Sequence, residues 1–280
     1  MFLLAAAFII VATFFAEIGG SVGKYAVNHK FESIYSLGFL NVFWSVIVMG
    51  GTLALRPELW SFSLASLPTL GLRIILECFQ AYVSLKAVQA ASRSAFAIVR
   101  SATIPLVLLA DVFLGQLPDM WQLVGVAIVV GTLVAMGMLG DIERKGLGYL
   151  WVSTINSAFT LILFKYNTLN FNSVLAEQVA VSIPLLIFLY IGAKRLGESP
   201  MALMRKRPIV LIPCVMSGMN GLLESFAFAW LPLSIATTMN RALSAVWGVL
   251  FGKKYFHEVH VAAKFIAIGF IIVGFALLFV

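Results

Sequence analysis

Among the ionisable residues that interrupt long apolar stretches of this chain are Glu17, Arg73, Glu77, Arg100, Glu224 and Arg241. In a membrane-spanning helix each would cost about 2.5–3.5 kcal/mol, so each marks an ion pair or a place where a polar solute or proton is handled. Arg73 and Glu77 stand four apart and share a helix face, which predicts a pair that neutralises itself. The other four have no opposite charge three or four positions away. Two readings stand side by side. The glutamates pair with the arginines across helices and hold a bundle together, or some of them line a water-filled cavity and bind substrate or protons. For Glu17 the second is favoured, because Gly20 shares its face and Gly19 adjoins it, leaving room for a ligand or a close helix contact.

Uncharged groups add to this set. Asn41, Asn156, Asn220 and Asn240 can hydrogen-bond a solute or act as glue between helices. Trp44 and Tyr82 lie within apolar runs and can stack on a substrate, whereas Trp60, Trp121, Trp151 and Trp230 near run ends read as interface anchors. Asp111 reads as interfacial, and Lys24 and Lys165, near run ends, as snorkelling cations. The chemistry of an enzyme is not apparent. His29, His257 and His260 all fall near loops, and no H-E-x-x-H or G-x-S-x-G pattern occurs. Cys78 and Cys214 lack metal-ligand spacing and read as packed thiols. No metal or cofactor is expected, and no G-x-x-x-x-G-K-[ST] loop points to direct use of ATP.

The elements that must carry these residues are helices. Of 280 residues 61% are hydrophobic and 11% charged, against about 25% charged in soluble domains. Lipid must therefore be the solvent. Apolar runs at 2–24, 34–55, 65–86, 94–115, 119–139, 147–168, 172–193, 209–231, 232–253 and 259–280 predict ten spans joined by short loops. The first lacks a basic leader and reads as a retained helix. The formal charge of +7 sits in those loops, which argues for an anionic leaflet and against nucleic acid. Loops after odd-numbered runs hold thirteen Lys and Arg residues, against Arg56 and Lys165 after even-numbered ones. The positive-inside rule then places both termini outside, in a bacterial-type plasma (inner) membrane.

The chain also repeats itself. Lys24-Tyr25 recurs as Lys165-Tyr166, and Arg100 as Arg241, both at an offset of 141. The turn Phe113-Leu-Gly-Gln116 has a counterpart at Phe256-His-Glu258. Gly125 and Gly131 follow one, Gly269 and Gly274 the other. The expected fold is an all-α membrane protein of ten transmembrane helices in two inverted five-helix repeats, 1–140 and 141–280. Odd-numbered halves must lie upside down to each other, an arrangement typical of secondary transporters.

Over nearly its whole length the sequence resembles the EamA-like members of the drug/metabolite transporter superfamily. The residues are Ser84-Leu85-Lys86, Ala90-Ala91-Ser92, Phe113-Leu114-Gly115-Gln116 and Gly125 in the first half. In the second they are Ala229 to Ala236, Glu258 and Gly269. Gln116 replaces the usual glutamate of the turn. Ala16-Glu17-Ile-Gly-Gly20 with Lys24-Tyr25 also resembles helix 1 of the small multidrug resistance transporters, whose membrane glutamate binds protons and cationic drugs in turn. The 141-residue counterpart of Glu17 is Ala158, so no symmetric two-glutamate site follows. The resemblance implies alternating-access transport of a small solute by a monomer or homodimer. Proton-coupled export through Glu17, or uniport or import of an anion held by Arg100 and Arg241, would both fit, and a non-transporting membrane scaffold is the further alternative.

Overall fold

A backbone surrounded by lipid must satisfy its own hydrogen bonds, so apolar runs of this length become helices. The computed structural model describes residues 1–28, 34–90, 99–116, 118–138, 146–256 and 261–279. His29, Lys30, Ala91, Ser92, Arg93, Arg144, Lys145, His257, Glu258 and His260 lie outside the described residues. Within them run α1 (Phe2–Asn28), α2 (Ile34–Leu55), α3 (Leu67–Ala90), α4 (Thr103–Phe113), α5 (Met120–Met138), α6 (Leu147–Asn170), α7 (Val174–Arg195), α8 (Leu211–Trp230), α9 (Leu233–Phe256) and α10 (Val261–Leu277). A seven-residue helix, Pro200–Lys206, lies between α7 and α8.

Six of the described stretches are long and apolar enough to cross a bilayer: Phe2–Gly19, Tyr35–Leu55, Leu64–Ser84, Leu147–Asn170, Val174–Arg195 and Pro208–Trp230. The chain is thus an all-α, multi-pass membrane protein. Shorter apolar helices cover Met120–Ala135 and Ile266–Leu277.

Local chemistry sets the helix ends. Ser173 caps α7, its Oγ accepting the Ala176 N–H. Pro57, Pro200 and Pro208 open short helical turns, where a missing N–H costs nothing. Gly115 ends α4 with φ of +69°, so the glycine of Phe113-Leu-Gly-Gln116 supplies the left-handed residue that stops a helix.

The chain divides into two compact units, and each draws on both halves of the sequence. One comprises Ala7–Cys78 and Tyr166–Ala229. In it α2 lies along α7, and α8 packs on α1 and α2. Glycine makes these approaches possible. A Cβ on Gly192 of α7 would come within 2.5 Å of the Tyr35 ring, and one on Gly218 of α8 within 3.0 Å of the Trp44 carbonyl. The other unit comprises Met1–Ala6, Phe79–Lys165 and Trp230–Val280. Here α5 lies along α10 and α4 along α9. A Cβ on Gly125 would strike the Gly274 carbonyl oxygen at 2.6 Å, and one on Gly274 the Gly125 oxygen at 3.0 Å. Within the units, the closely packed pairs α2–α7, α4–α9 and α5–α10 each join helices five apart in chain order.

Candidate functional site

Glu177, in the α1–α2–α7–α8 unit, accepts three side-chain hydrogen bonds. It is fully buried in the first turn of α7, where the helix dipole favours a negative charge. Its Oε1 accepts Arg73 Nη1 at 2.9 Å and Asn167 Nδ2 at 2.8 Å, and its Oε2 accepts Asn172 Nδ2 at 2.7 Å. Asn172 also donates to Ser66 Oγ and accepts the Ser63 N–H. Thr69 donates to Asn167 Oδ1. These bonds staple the start of α3 to the α6–α7 connection.

The expected Arg73–Glu77 pair is present, but it is not the arginine's nearest one. Glu77 stands 3.8 Å from Arg73 Nη2, farther than Glu177, and its side chain is 24% exposed. Two carboxylates flank one guanidinium: the near one is fully buried against it, and the far one is the more exposed. Arg73 Nη2 also donates to Gln178 Oε1, and Gln178 Nε2 donates to Ser225 Oγ on α8 at 2.6 Å. A polar line therefore crosses α3, α7 and α8.

Helix α8 is the common wall. Its residue Gly218 lies against the Trp44 backbone of α2, and Pro213 and Met216 lie against Gly19 of α1. Asn220 donates to Glu224 Oε2 at 3.2 Å, one turn along α8. The Trp44 indole Nε1 and the Asn220 Oδ1 are buried with no hydrogen-bond partner among the described residues. A buried polar atom left so costs about 1–3 kcal/mol, which makes each a ready contact for a polar ligand or water. Glu17, Glu77 and Glu224 are all half-buried. Five of the residues singled out in the sequence, Glu17, Trp44, Glu77, Asn220 and Glu224, thus fall in one unit, on α1, α2, α3 and α8.

The other unit holds Tyr82, Arg100, Asn156, Asn240 and Arg241. Asn156 of α6 donates to Gln80 Oε1 of α3 at 2.8 Å. Gln80 Nε2 donates in turn to Ser84 Oγ and Ser153 Oγ, each at 2.9 Å. This neutral cluster joins α3 to α6. Tyr82 lies outward, in an open depression with Phe79, Tyr149 and Val152, and Lys86 Nζ sits 6.0 Å from its ring centroid. Asn240 and Arg241 are half-buried on α9, and Arg100 precedes α4.

Two expectations are overturned here. Lys165 does not snorkel, and Asp111 is not interfacial; both are 0% exposed. Lys165 Nζ donates to the Leu231 carbonyl at 2.8 Å. Asp111 accepts the N–H groups of Leu233 and Ser234 and the Ser234 hydroxyl, at 2.6–2.8 Å. Lys165 lies within α6, which runs on to Asn170, five residues beyond it.

The sequence reading missed Glu177, Gln178 and Gln80. Charge balance was the available signal for Glu177: a buried Arg73 with one loosely placed acid needs a second. Gln80 and Gln178 offered only their polarity within apolar runs.

No family model matches the sequence, and no curated protein does. A solved structure described only as "Crystal structure of protein" is similar at a TM-score of 0.72 with 10% sequence identity, over 98% of this chain and 95% of that one. What the two chains share is the fold.

Proposed function

We propose that this protein is a secondary transporter of a small polar solute, a ten-span relative of the EamA-like transporters that works by alternating access. The observation that carries the reading is the group of half-buried carboxylates in spanning helices, Glu17, Glu77 and Glu224, in the same unit as the orphaned Trp44 Nε1 and Asn220 Oδ1. Lipid does not solvate a carboxylate, so a partly exposed one within a span needs water, and water in a span needs a cavity. The packing of helices five apart, α2 on α7, α4 on α9 and α5 on α10, also fits an inverted duplication.

In this reading Glu17 couples the cycle to protons. A carboxylate keeps its charge where water reaches it and takes up a proton where water is shut out. Alternating exposure of Glu17 therefore makes proton binding and solute binding mutually exclusive, and the result is antiport.

Purified protein in proteoliposomes provides the test, with solutes drawn from amino acids, sugars, nucleosides and quaternary amines. An imposed pH gradient should drive uptake of at least one of them. Glu17→Gln should abolish that drive while leaving the unfolding temperature within a few degrees of wild type. Transport indifferent to the gradient, or full gradient-driven activity in Glu17→Gln, removes proton coupling. A folded protein that moves none of the panel removes the transport reading for those classes.

A further inference from the structure

Helices α7 and α8 occupy the candidate spans Val174–Arg195 and Pro208–Trp230, so the 196–207 connection lies at a membrane surface. Five cations crowd it within fourteen residues: Lys194, Arg195, Arg205, Lys206 and Arg207, all exposed. The one acid of the stretch, Glu198, is half-buried and accepts the Ser36 hydroxyl of α2 at 2.6 Å. Five positive charges less one negative leave the segment at +4.

The segment is also held in shape. Gly197, at φ of +75°, reverses the chain after α7, and Pro200 starts the short helix Pro200–Lys206. Leu203 of that helix is buried, and the helix packs against α2. Beside the cations, Leu196, Met201 and Ile209 are exposed at 58%, 39% and 43%. A fixed basic cluster with apolar side chains among it, at the ends of two spans, matches a bilayer interface, where phosphate charge lies directly above acyl chain.

We propose that this surface is a docking site for anionic phospholipid headgroups. Arg205, Lys206 and Arg207 bind the lipid phosphates, with arginine offering paired N–H donors to phosphate oxygens. Lys194 and Arg195 add charge from the last turn of α7, and Leu196, Met201 and Ile209 reach towards the acyl region. The proposal does not depend on the transport reading.

Thermal unfolding of the purified full chain in neutral detergent tests it, with phosphatidylglycerol titrated into the micelles. Phosphatidylglycerol should raise the unfolding temperature saturably, whereas phosphatidylcholine and inorganic phosphate should not. Each neutralised cation should weaken apparent lipid affinity about fivefold, so R205Q/K206Q/R207Q should bind about a hundredfold more weakly. The charge-preserving R205K/R207K should keep most of the affinity. At 1 M NaCl the wild-type effect should vanish, because the screening length falls to about 3 Å. Equal stabilisation by phosphatidylcholine, wild-type affinity in the triple variant, or an effect untouched by 1 M NaCl overturns the proposal. Where the triple variant does not fold, the single variants R205Q and K206Q, each expected to weaken lipid affinity about fivefold, decide it, and wild-type affinity in both overturns the proposal.

Discussion

Arg73 shows how much depends on which acid a cation meets. Its sequence neighbour Glu77 lies at 3.8 Å, while Glu177, a hundred and four positions away, lies at 2.9 Å. Removing one member of a buried pair strands the other charge, which costs about 3–5 kcal/mol. Arg73→Met should therefore lower the unfolding temperature severely in detergent. Glu77→Gln should cost less than about 1 kcal/mol, because its ion pair is long and partly open to solvent. A Glu77→Gln variant as unstable as Arg73→Met contradicts this division of labour. Lys165 and Asp111 obey the same physics. Each buries its charge only because the turn at Leu231–Ser234 offers a carbonyl to the cation and N–H groups to the anion.

Helix packing depends on where glycines meet backbone. The α5–α10 crossing is closed by Gly125 and Gly274, each against the other's carbonyl oxygen. Backbone cannot yield as a flexible side chain can, so Gly125→Ala must push the helices apart, at about 1–3 kcal/mol. Gly131 sits six residues along α5 with nothing within 4 Å of its would-be Cβ among the described residues, and Gly131→Ala should be neutral or slightly stabilising. Thermal melts of the two variants compare them directly; equal losses would show that the crossing is looser than described. The sequence pattern presents these two glycines alike. A Cβ on Gly50 or Gly51 would likewise meet nothing within 4 Å among the described residues.

Orientation belongs to the molecule as a whole. Thirteen cations in odd-numbered loops against two in even-numbered ones predict that Arg56 and Arg205 face opposite sides of the membrane. Both are exposed. In a chain with Cys78 and Cys214 replaced by Ala, a membrane-impermeant maleimide applied to intact cells should label Arg56→Cys and spare Arg205→Cys. The reverse pattern would invert the topology, and labelling of both would place the two loops on one side.

Composition alone determined the solvent and the class: 61% hydrophobic residues in long runs leave no fold but membrane helices. Run lengths placed most helices, and glycine and proline placed their ends, because these are local properties of the chain. The ionisable residues in those runs were visible too, and Glu17, Trp44, Glu77, Asn220 and Glu224 do share one compact unit. What they touch was not legible. Glu177 reads as an unremarkable acid three residues into a helix until folding brings Arg73 to it. Lys165 and Asp111 read as surface charges until the α8–α9 turn closes over them. A buried charge is stabilised by partners distant in sequence, and only tertiary structure brings those partners within hydrogen-bond reach.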